Sequence, residues 1–215
     1  MALDVLYEDN HVLVVVKPCN VPSQADSSGD ADMLTLCKAY IKEKHQKPGA
    51  VYLGLVHRLD RPTGGVMVFA RTSKAAARLS EQVRRHDMQK TYRLRTTSGP
   101  ADENGTLIDT LQKGRDGMVR VVPPDTPDGK RAELSYQVLE RMPDGGSVCE
   151  VRLHTGRAHQ IRVQFASRGW ALAGDARYGK GGRQLALWAY QLSFVHPTRK
   201  ERMTFTAPVP AGLLR

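Results

Sequence analysis

Cysteine is scarce in this chain, and its few copies are scattered. The 215 residues include three cysteines, Cys19, Cys37 and Cys149, and none of them belongs to a CxxC pair. An odd number of widely spaced cysteines indicates neither a disulfide framework nor a zinc knuckle. We therefore expect a protein of the reducing cytoplasm.

The sequence also lacks the segments and motifs that mark several large classes of protein. The apolar run VLVVV at residues 12–16 is far too short for a signal core or a membrane span. No GxxxxGK[ST] or GxGxxG motif follows a strand pattern, and neither HExxH nor a Cys/His cluster occurs. We expect no membrane attachment, no metal and no nucleotide cofactor.

Positive charge, in contrast, is plentiful. Lysine and arginine number 32 against 22 acidic residues, which gives a formal net charge of +10. Such an excess is either a solvated surface or a binding surface for a polyanion such as nucleic acid. The length suffices for a sizeable core, and we predict one domain over residues 1–215.

Strand and helix patterns interleave along the chain. The segments VLYE and HVLVVVK predict two strands, and SQADSSGDAD at 23–32 predicts a loop before an amphipathic helix over 33–47. A strand over 51–60 is predicted to carry Asp60 at its end. Ser73 is predicted to cap a second helix, and KTYRLRT at 90–96 has the alternation of a half-buried strand.

The candidate chemistry centres on Asp60, a carboxylate between Arg58 and Arg61. The stretch 153–179 adds four arginines against one acid, and an arginine brought beside Asp60 would hold it ionised in a phosphate-binding cleft. The alternative is that Asp60 caps a turn or pairs with Arg58 at the surface. We expect His57 to be satisfied by a backbone partner, although a metal-assisted hydrolase using His57 and Asp60 is a rival hypothesis.

Several ordered blocks resemble the RluA-type pseudouridine synthases. HRLDRPTGGVMVFAR is similar to the HRLDxxTSG signature, and KTYR, LHTGRAHQIRV, GDARYG and LALWAYQLSFVHP…FTAPVP match further family blocks in the expected order. The opening LYEDNHVLVVVKPCNVPSQ is similar as well. The resemblance implies an α+β fold with a mixed, largely antiparallel, bent sheet, flanking helices and a central active-site cleft.

The resemblance also implies a reaction and a set of residues. Asp60 matches the catalytic aspartate, Tyr92 the tyrosine placed against the target base, and Arg162 the arginine that pairs with the aspartate. Without the family, Tyr92 reads as an ordinary core-facing strand residue and Arg162 as a phosphate contact. The reaction needs no cofactor or metal, and the implied partner is ribosomal or transfer RNA. A non-catalytic RNA-binding module is the remaining alternative.

Further cations are expected to hold the RNA. Arg58 matches a residue that relatives insert into the RNA stack where the target base has left, while its alternative role is simple phosphate binding. The predicted RNA-binding residues are Arg58, Arg61, Arg157, His159 and Arg183. Family members often carry a small N-terminal RNA-binding domain, which we expect to be absent here because the catalytic-type segment begins at residue 3.

Three positions depart from the family pattern. Gly64 replaces a common serine, Ala158 a frequent threonine and Trp188 a common histidine. None of these changes removes a charged catalytic group. We expect them to affect loop geometry and the choice of RNA rather than the reaction.

Overall fold

The computed structural model describes residues 3–215, which divide into two compact units. The first unit holds the chain up to Gln89 together with Ala189–Pro208, and the second holds Lys90–Trp188 with Val209–Arg215. Within the described residues the elements are β1 (Asp4–Glu8), β2 (Val12–Lys17), α1 (Met33–Lys44), β3 (Gly54–Leu55), β4 (Gly64–Ala70), α2 (Ser73–Arg84), β5 (Gln89–Thr96), β6 (Asn104–Lys113), β7 (Val119–Val122), β8 (Lys130–Arg141), β9 (Ser147–Leu153), α3 (Gln160–Ala166), β10 (Leu187–Val195) and β11 (Arg202–Thr206).

The first unit is built on the strand order β1-β2-β4-β10, with β3 added to β4 and β11 added to β10. β2 and β4 are antiparallel, with Val14 opposite Val68. Both side chains are fully buried, as the continuous apolar runs of these two strands predict. This pair forms the centre of the unit's core.

Two helices complete the first unit, and both start at a capping side chain. The Asp32 carboxylate accepts the backbone N–H of Thr35 at 3.1 Å, and α1 ends at Lys44 rather than at the predicted residue 47. The hydroxyl of Thr72 accepts the N–H of Ala75 at 3.1 Å at the start of α2. The predicted cap at Ser73 is therefore wrong by one residue, because Thr72 has the extended backbone that a cap requires.

The strand predicted over residues 51–60 is also wrong. Only Gly54–Leu55 pair with β4, and residues 56–60 lie outside any strand. The reason lies in a side chain: Nε2 of His57 accepts the N–H of Val68 at 3.1 Å, as expected for a histidine with a backbone partner. Asp60 consequently lies in a loop.

The second unit has the strand order β5-β9-β8-β6-β7. Each pair of neighbouring strands in this order is antiparallel, and β5 shows the predicted alternation, with Tyr92, Leu94 and Thr96 buried. The helix α3 supplies buried Phe165 to this unit's core.

The α+β fold class is thus confirmed, whereas the single domain and the central cleft stay predictions. Within residues 3–215, no helix combines the length and the apolar character needed to cross a membrane.

Candidate active site

Asp60 begins a tight turn that is fastened on both sides. The N–H of Thr63 donates to the Asp60 carbonyl at 3.0 Å, which closes the Asp60 turn over residues 60–63. On the preceding side, the Ser23 hydroxyl donates to the Leu59 carbonyl at 2.7 Å and accepts the Leu59 N–H at 3.1 Å. Asp60 itself is only partly buried, and its backbone is fixed on both sides.

A buried lysine holds the other side of the Asp60 turn. Nζ of Lys17 donates to the carbonyl oxygens of Pro18 at 3.0 Å, Val21 at 2.5 Å and Arg61 at 3.0 Å. The side chain is fully buried, and burial lowers its pKa to about 8, although the nearby Cys19 and Asp60 act in the opposite direction. One ammonium thus ties the end of β2 to the Asp60 turn.

The chain leaves the Asp60 turn through a glycine that no other residue can replace. Gly65 has φ of +122°, and a Cβ there would lie 2.2 Å from the Ala189 carbonyl oxygen. β4 therefore enters the sheet against the backbone of β10 only because this side chain is absent.

The two arginines beside Asp60 differ in their surroundings. Arg58 is exposed. Arg61 forms an ion pair with Asp30 and a longer one, at 3.6 Å, with Asp26, both in the acidic loop predicted at 23–32. Part of the positive charge of Arg61 is therefore neutralised within the chain.

In the second unit, Arg162 of α3 is engaged by Asp175. Nε of Arg162 donates to Oδ2 at 2.8 Å, and Nη2 donates to Oδ1 at 2.7 Å. Oδ1 also accepts the N–H groups of Arg177 at 2.9 Å and Tyr178 at 3.1 Å. Burial alone raises the pKa of Asp175, but these donors outweigh it and lower the pKa. Both side chains are buried, so the guanidinium has a fixed position.

Tyr178 connects Arg162 to its neighbours. The Arg162 guanidinium lies 5.2 Å from the centre of the Tyr178 ring, a cation–π distance. The Tyr178 hydroxyl accepts the N–H of Val119 at 3.0 Å and lies 2.8 Å from Nδ1 of His159, to which it donates when that nitrogen is unprotonated. Burial raises the pKa of this hydroxyl, so it keeps its proton at neutral pH.

The loop before α3 positions Arg157 and His159. Oε1 of Gln160 accepts the Arg157 N–H at 2.9 Å, and its amide donates to the Glu133 carbonyl at 3.0 Å. His159 has a left-handed backbone with φ of 51°, and α3 starts immediately after it. The structure therefore brings Arg157, His159 and Arg162 together around one helix start.

The remaining predicted residues lie elsewhere in the second unit. Tyr92 is in β5 with 7% of its surface exposed, opposite Val151 of β9. Arg183 is exposed in the loop before β10. Among the positions that depart from the family pattern, Trp188 is buried and Ala158 is exposed.

Sequence reasoning missed three residues of this arrangement: Lys17, Asp175 and Tyr178. The available signal for Lys17 was its position at the end of an apolar strand. The signal for Asp175 and Tyr178 was their place in the block GDARYG. Within residues 3–215, histidine, cysteine and acidic side chains form no group of three or more that could hold a metal ion.

Comparisons with known proteins agree with one another. The family described as RNA pseudouridylate synthase matches residues 11–167. The uncharacterized RNA pseudouridine synthase YhcT of Bacillus subtilis is 34% identical over 219 residues, covering 98% of this chain and 70% of that protein. Ribosomal large subunit pseudouridine synthase D of Xanthomonas campestris is also 34% identical, over 99% of this chain and 68% of that protein. The solved structure of human RNA pseudouridylate synthase domain containing 4 has the same fold, with a TM-score of 0.80 at 23% identity over 98% of this chain and 90% of that one.

Proposed function

Because this chain belongs to the RNA pseudouridylate synthase family, and is an RNA pseudouridine synthase of the RluA type, we propose that Asp60 is its catalytic carboxylate. The observation that carries this assignment is the fastening of the Asp60 turn. Ser23 holds the residue before Asp60 and Lys17 holds the residue after it, while Asp60 between them is only partly buried. Such preorganisation suits a group that must meet a reacting atom in a fixed geometry.

The reaction is an isomerisation, which explains why one carboxylate can suffice. The bond between the ribose carbon and N1 of uracil breaks, the uracil turns, and a new bond forms from the same ribose carbon to carbon 5. Carbon 5 then loses its proton and N1 gains one, so no atom enters or leaves overall. Asp60 acts either at the ribose carbon or by assisting elimination at the sugar.

We assign supporting roles to Arg162 and Tyr92. Arg162 is the cation that stabilises the catalytic carboxylate, as the family resemblance implies, and its fixed pose on Asp175 supports a positional role. Tyr92 is proposed to stack on the target base and to accept a proton. Its small exposed surface limits this contact to one edge or face of the ring.

RNA has to present its uridine outside the helical stack before the glycosidic bond can be reached. Flipping a nucleotide costs a few kcal/mol, and a side chain that fills the gap offsets part of that cost. We propose that Arg58, which is exposed two residues before Asp60, fills the gap. Arg61, Arg157, His159 and Arg183 are proposed to hold the surrounding RNA, with Arg61 weakened by its acidic neighbours.

The target is proposed to be a uridine in ribosomal or transfer RNA of the cytoplasm. Mapping pseudouridine in RNA from cells with and without the gene identifies it, because the missing modification names the position.

The decisive test of Asp60 is Asp60→Asn, which removes a nucleophilic or basic oxygen at almost constant volume. We expect no pseudouridine, measured by mass spectrometry in RNA from cells that lack the gene, while RNA affinity stays close to wild type. Asp87→Asn is the matched control, since Asp87 is an exposed acid of the same unit. Substantial turnover by Asp60→Asn would refute the assignment.

A further inference from the structure

A groove of about 590 Å³ lies in the second unit, at the end of the sheet where β6, β7 and β8 meet the loop before α3. Its lining is Leu111, Gln112, Lys113, Val119, Asp128, Lys130, Gly156, Arg157 and Ala158. Leu111 and Val119 are buried and form the floor, so the accessible rim is polar and basic.

Two lysines on this rim have unengaged ammonium groups. Lys113 and Lys130 are exposed, and within residues 3–215 neither side chain makes a hydrogen bond or an ion pair. Arg157 is fixed by donation from its Nε to the Arg131 carbonyl at 2.9 Å. The only acid in the lining is Asp128, so the groove carries an excess of two positive charges.

The arginines next to the groove, unlike the two lysines in it, are paired with acidic side chains of the chain. Arg120 donates to the Asp116 carboxylate at 2.5 and 3.2 Å, and Arg131 pairs with Glu133 at 2.5 Å. Cations just outside the groove are therefore neutralised by the chain itself. Those inside it are left for an external anion.

Strand register fixes the spacing of the two lysines. Lys130 lies opposite Leu111, and Lys113 is two residues further along the same strand, so the lysines form a diagonal pair on one face. Diagonal neighbours are roughly 7–8 Å apart. Successive phosphates of a nucleic-acid strand are one nucleotide apart, a separation of the same order as that of the two lysines.

We propose that this groove binds the sugar–phosphate backbone of the RNA substrate, with Lys113, Lys130 and Arg157 contacting phosphates outside the nucleotide that reacts. This inference rests on the proposed function, and it adds Lys113 and Lys130 to the RNA-binding residues. RNA is favoured over an acidic protein because the accessible rim offers charge at nucleotide spacing and no apolar anchor, which protein interfaces require.

The first test compares two double variants of the full chain that lose the same charge. The groove variant, Lys113→Gln with Lys130→Gln, removes the two unengaged lysines of the groove. The α1 variant, Lys42→Gln with Lys47→Gln, removes two exposed lysines near the end of α1. Affinity for RNA from cells that lack the gene is titrated from 50 to 200 mM salt. The salt slope of log affinity should fall by about 1.4–1.8 in the groove variant only, at 0.7–0.9 per phosphate contact.

That slope has a direct consequence for the affinities. The ratio of wild-type to groove-variant affinity should shrink about 7- to 12-fold between 50 and 200 mM salt. An unchanged slope, or an equal fall in the α1 variant, would overturn the proposal. Poly-glutamate at equal charge concentration should compete poorly, and competition as strong as that of RNA would overturn it in favour of an acidic protein.

The second test predicts an increase in RNA affinity, which a misfolded variant would not show. Asp128 has φ of 62°, a conformation that asparagine adopts readily, so Asp128→Asn preserves the turn. Removing this negative charge from the rim should raise RNA affinity about two- to threefold, the size of one unit-charge repulsion across water at about 7 Å. Unchanged or weaker binding would contradict the assignment of this rim.

Failure of this proposal is separable from failure of the proposed function. Both tests measure binding and do not depend on Asp60. In the reverse direction, adding the two groove substitutions to Asp60→Asn should lower the salt slope by the same 1.4–1.8 as in the wild-type background, at about 0.7–0.9 per phosphate contact. A slope that no longer falls in the Asp60→Asn background would overturn the role of the lysines as distant phosphate contacts.

Discussion

Replacing Asp175 with asparagine tests the most buried ion pair of the second unit. The Asp175 side chain is 0% exposed and that of Arg162 is 5% exposed. Asparagine keeps one oxygen for the backbone N–H groups of Arg177 and Tyr178, but it turns an amide donor toward Nε of Arg162. Removing one partner of a buried pair costs about 3–5 kcal/mol. In a chain of this size each kcal/mol lowers Tm by roughly 2–4 °C, so we expect a fall of about 6–20 °C at pH 7.

The effect of Asp175→Asn should depend on pH. Because the donors of Arg162 and the backbone outweigh burial, the pKa of Asp175 is lower in the folded state than in the unfolded one. The stabilisation is therefore complete above the ordinary aspartate pKa of about 3.9 and is lost as pH falls through the folded value. The difference between wild type and variant should shrink at about pH 3, as measured by thermal or urea unfolding.

Asp116→Asn is the control for this experiment, since Asp116 pairs with Arg120 at the surface, with both side chains more than half exposed, and should contribute little. A Tm for Asp175→Asn equal to that of wild type, or a loss of the same size at both pH values, would refute the reasoning.

Three further changes address the groups that hold the site. Lys17→Met removes the donor to the Arg61 carbonyl and should slow single-turnover pseudouridine formation by up to about 10²-fold through displacement of the Asp60 turn; a wild-type rate would contradict this. Tyr178→Phe keeps the ring over Arg162 but leaves the buried N–H of Val119 without its acceptor, and urea unfolding should show a loss of about 1–3 kcal/mol. No loss would mean that the hydroxyl is dispensable. Arg162→Lys should recover only part of the turnover that Arg162→Ala loses, because an ammonium lacks the planar fork that engages a carboxylate in a bidentate manner. Full recovery in the same assay would show that charge alone matters.

Local patterns predicted the elements whose formation depends on their own residues. The apolar run at 12–16 became the buried β2, and the alternation at 90–96 became β5. The strand predicted over 51–60 failed because the His57 side chain, rather than a strand backbone, occupies the N–H of Val68. Nothing in the periodicity of that segment encodes a bond to a residue eleven positions away.

The site shows the same division between local and distant information. The ordered motifs placed Asp60 and Arg162 as candidates, and their roles stay predictions. Asp175 was visible as the one acid in an arginine-rich stretch, but its bond to Arg162 spans 13 residues and exists only once α3 has packed. Lys17 and Arg61 are 44 positions apart, so their contact could not be predicted from spacing.

Tyr178 connects a residue of the groove lining to the arginine that is proposed to support the catalytic carboxylate. Val119 lines the groove, its N–H holds the Tyr178 hydroxyl, and the Tyr178 ring supports the Arg162 guanidinium. A substitution that displaces Val119 therefore presses on the residue that sets the pose of the arginine, whereas a change of charge on the groove rim leaves this chain of contacts in place. A bulkier residue at Val119 should lower the rate of the reaction, and a compensating substitution near Tyr178 is expected to restore it.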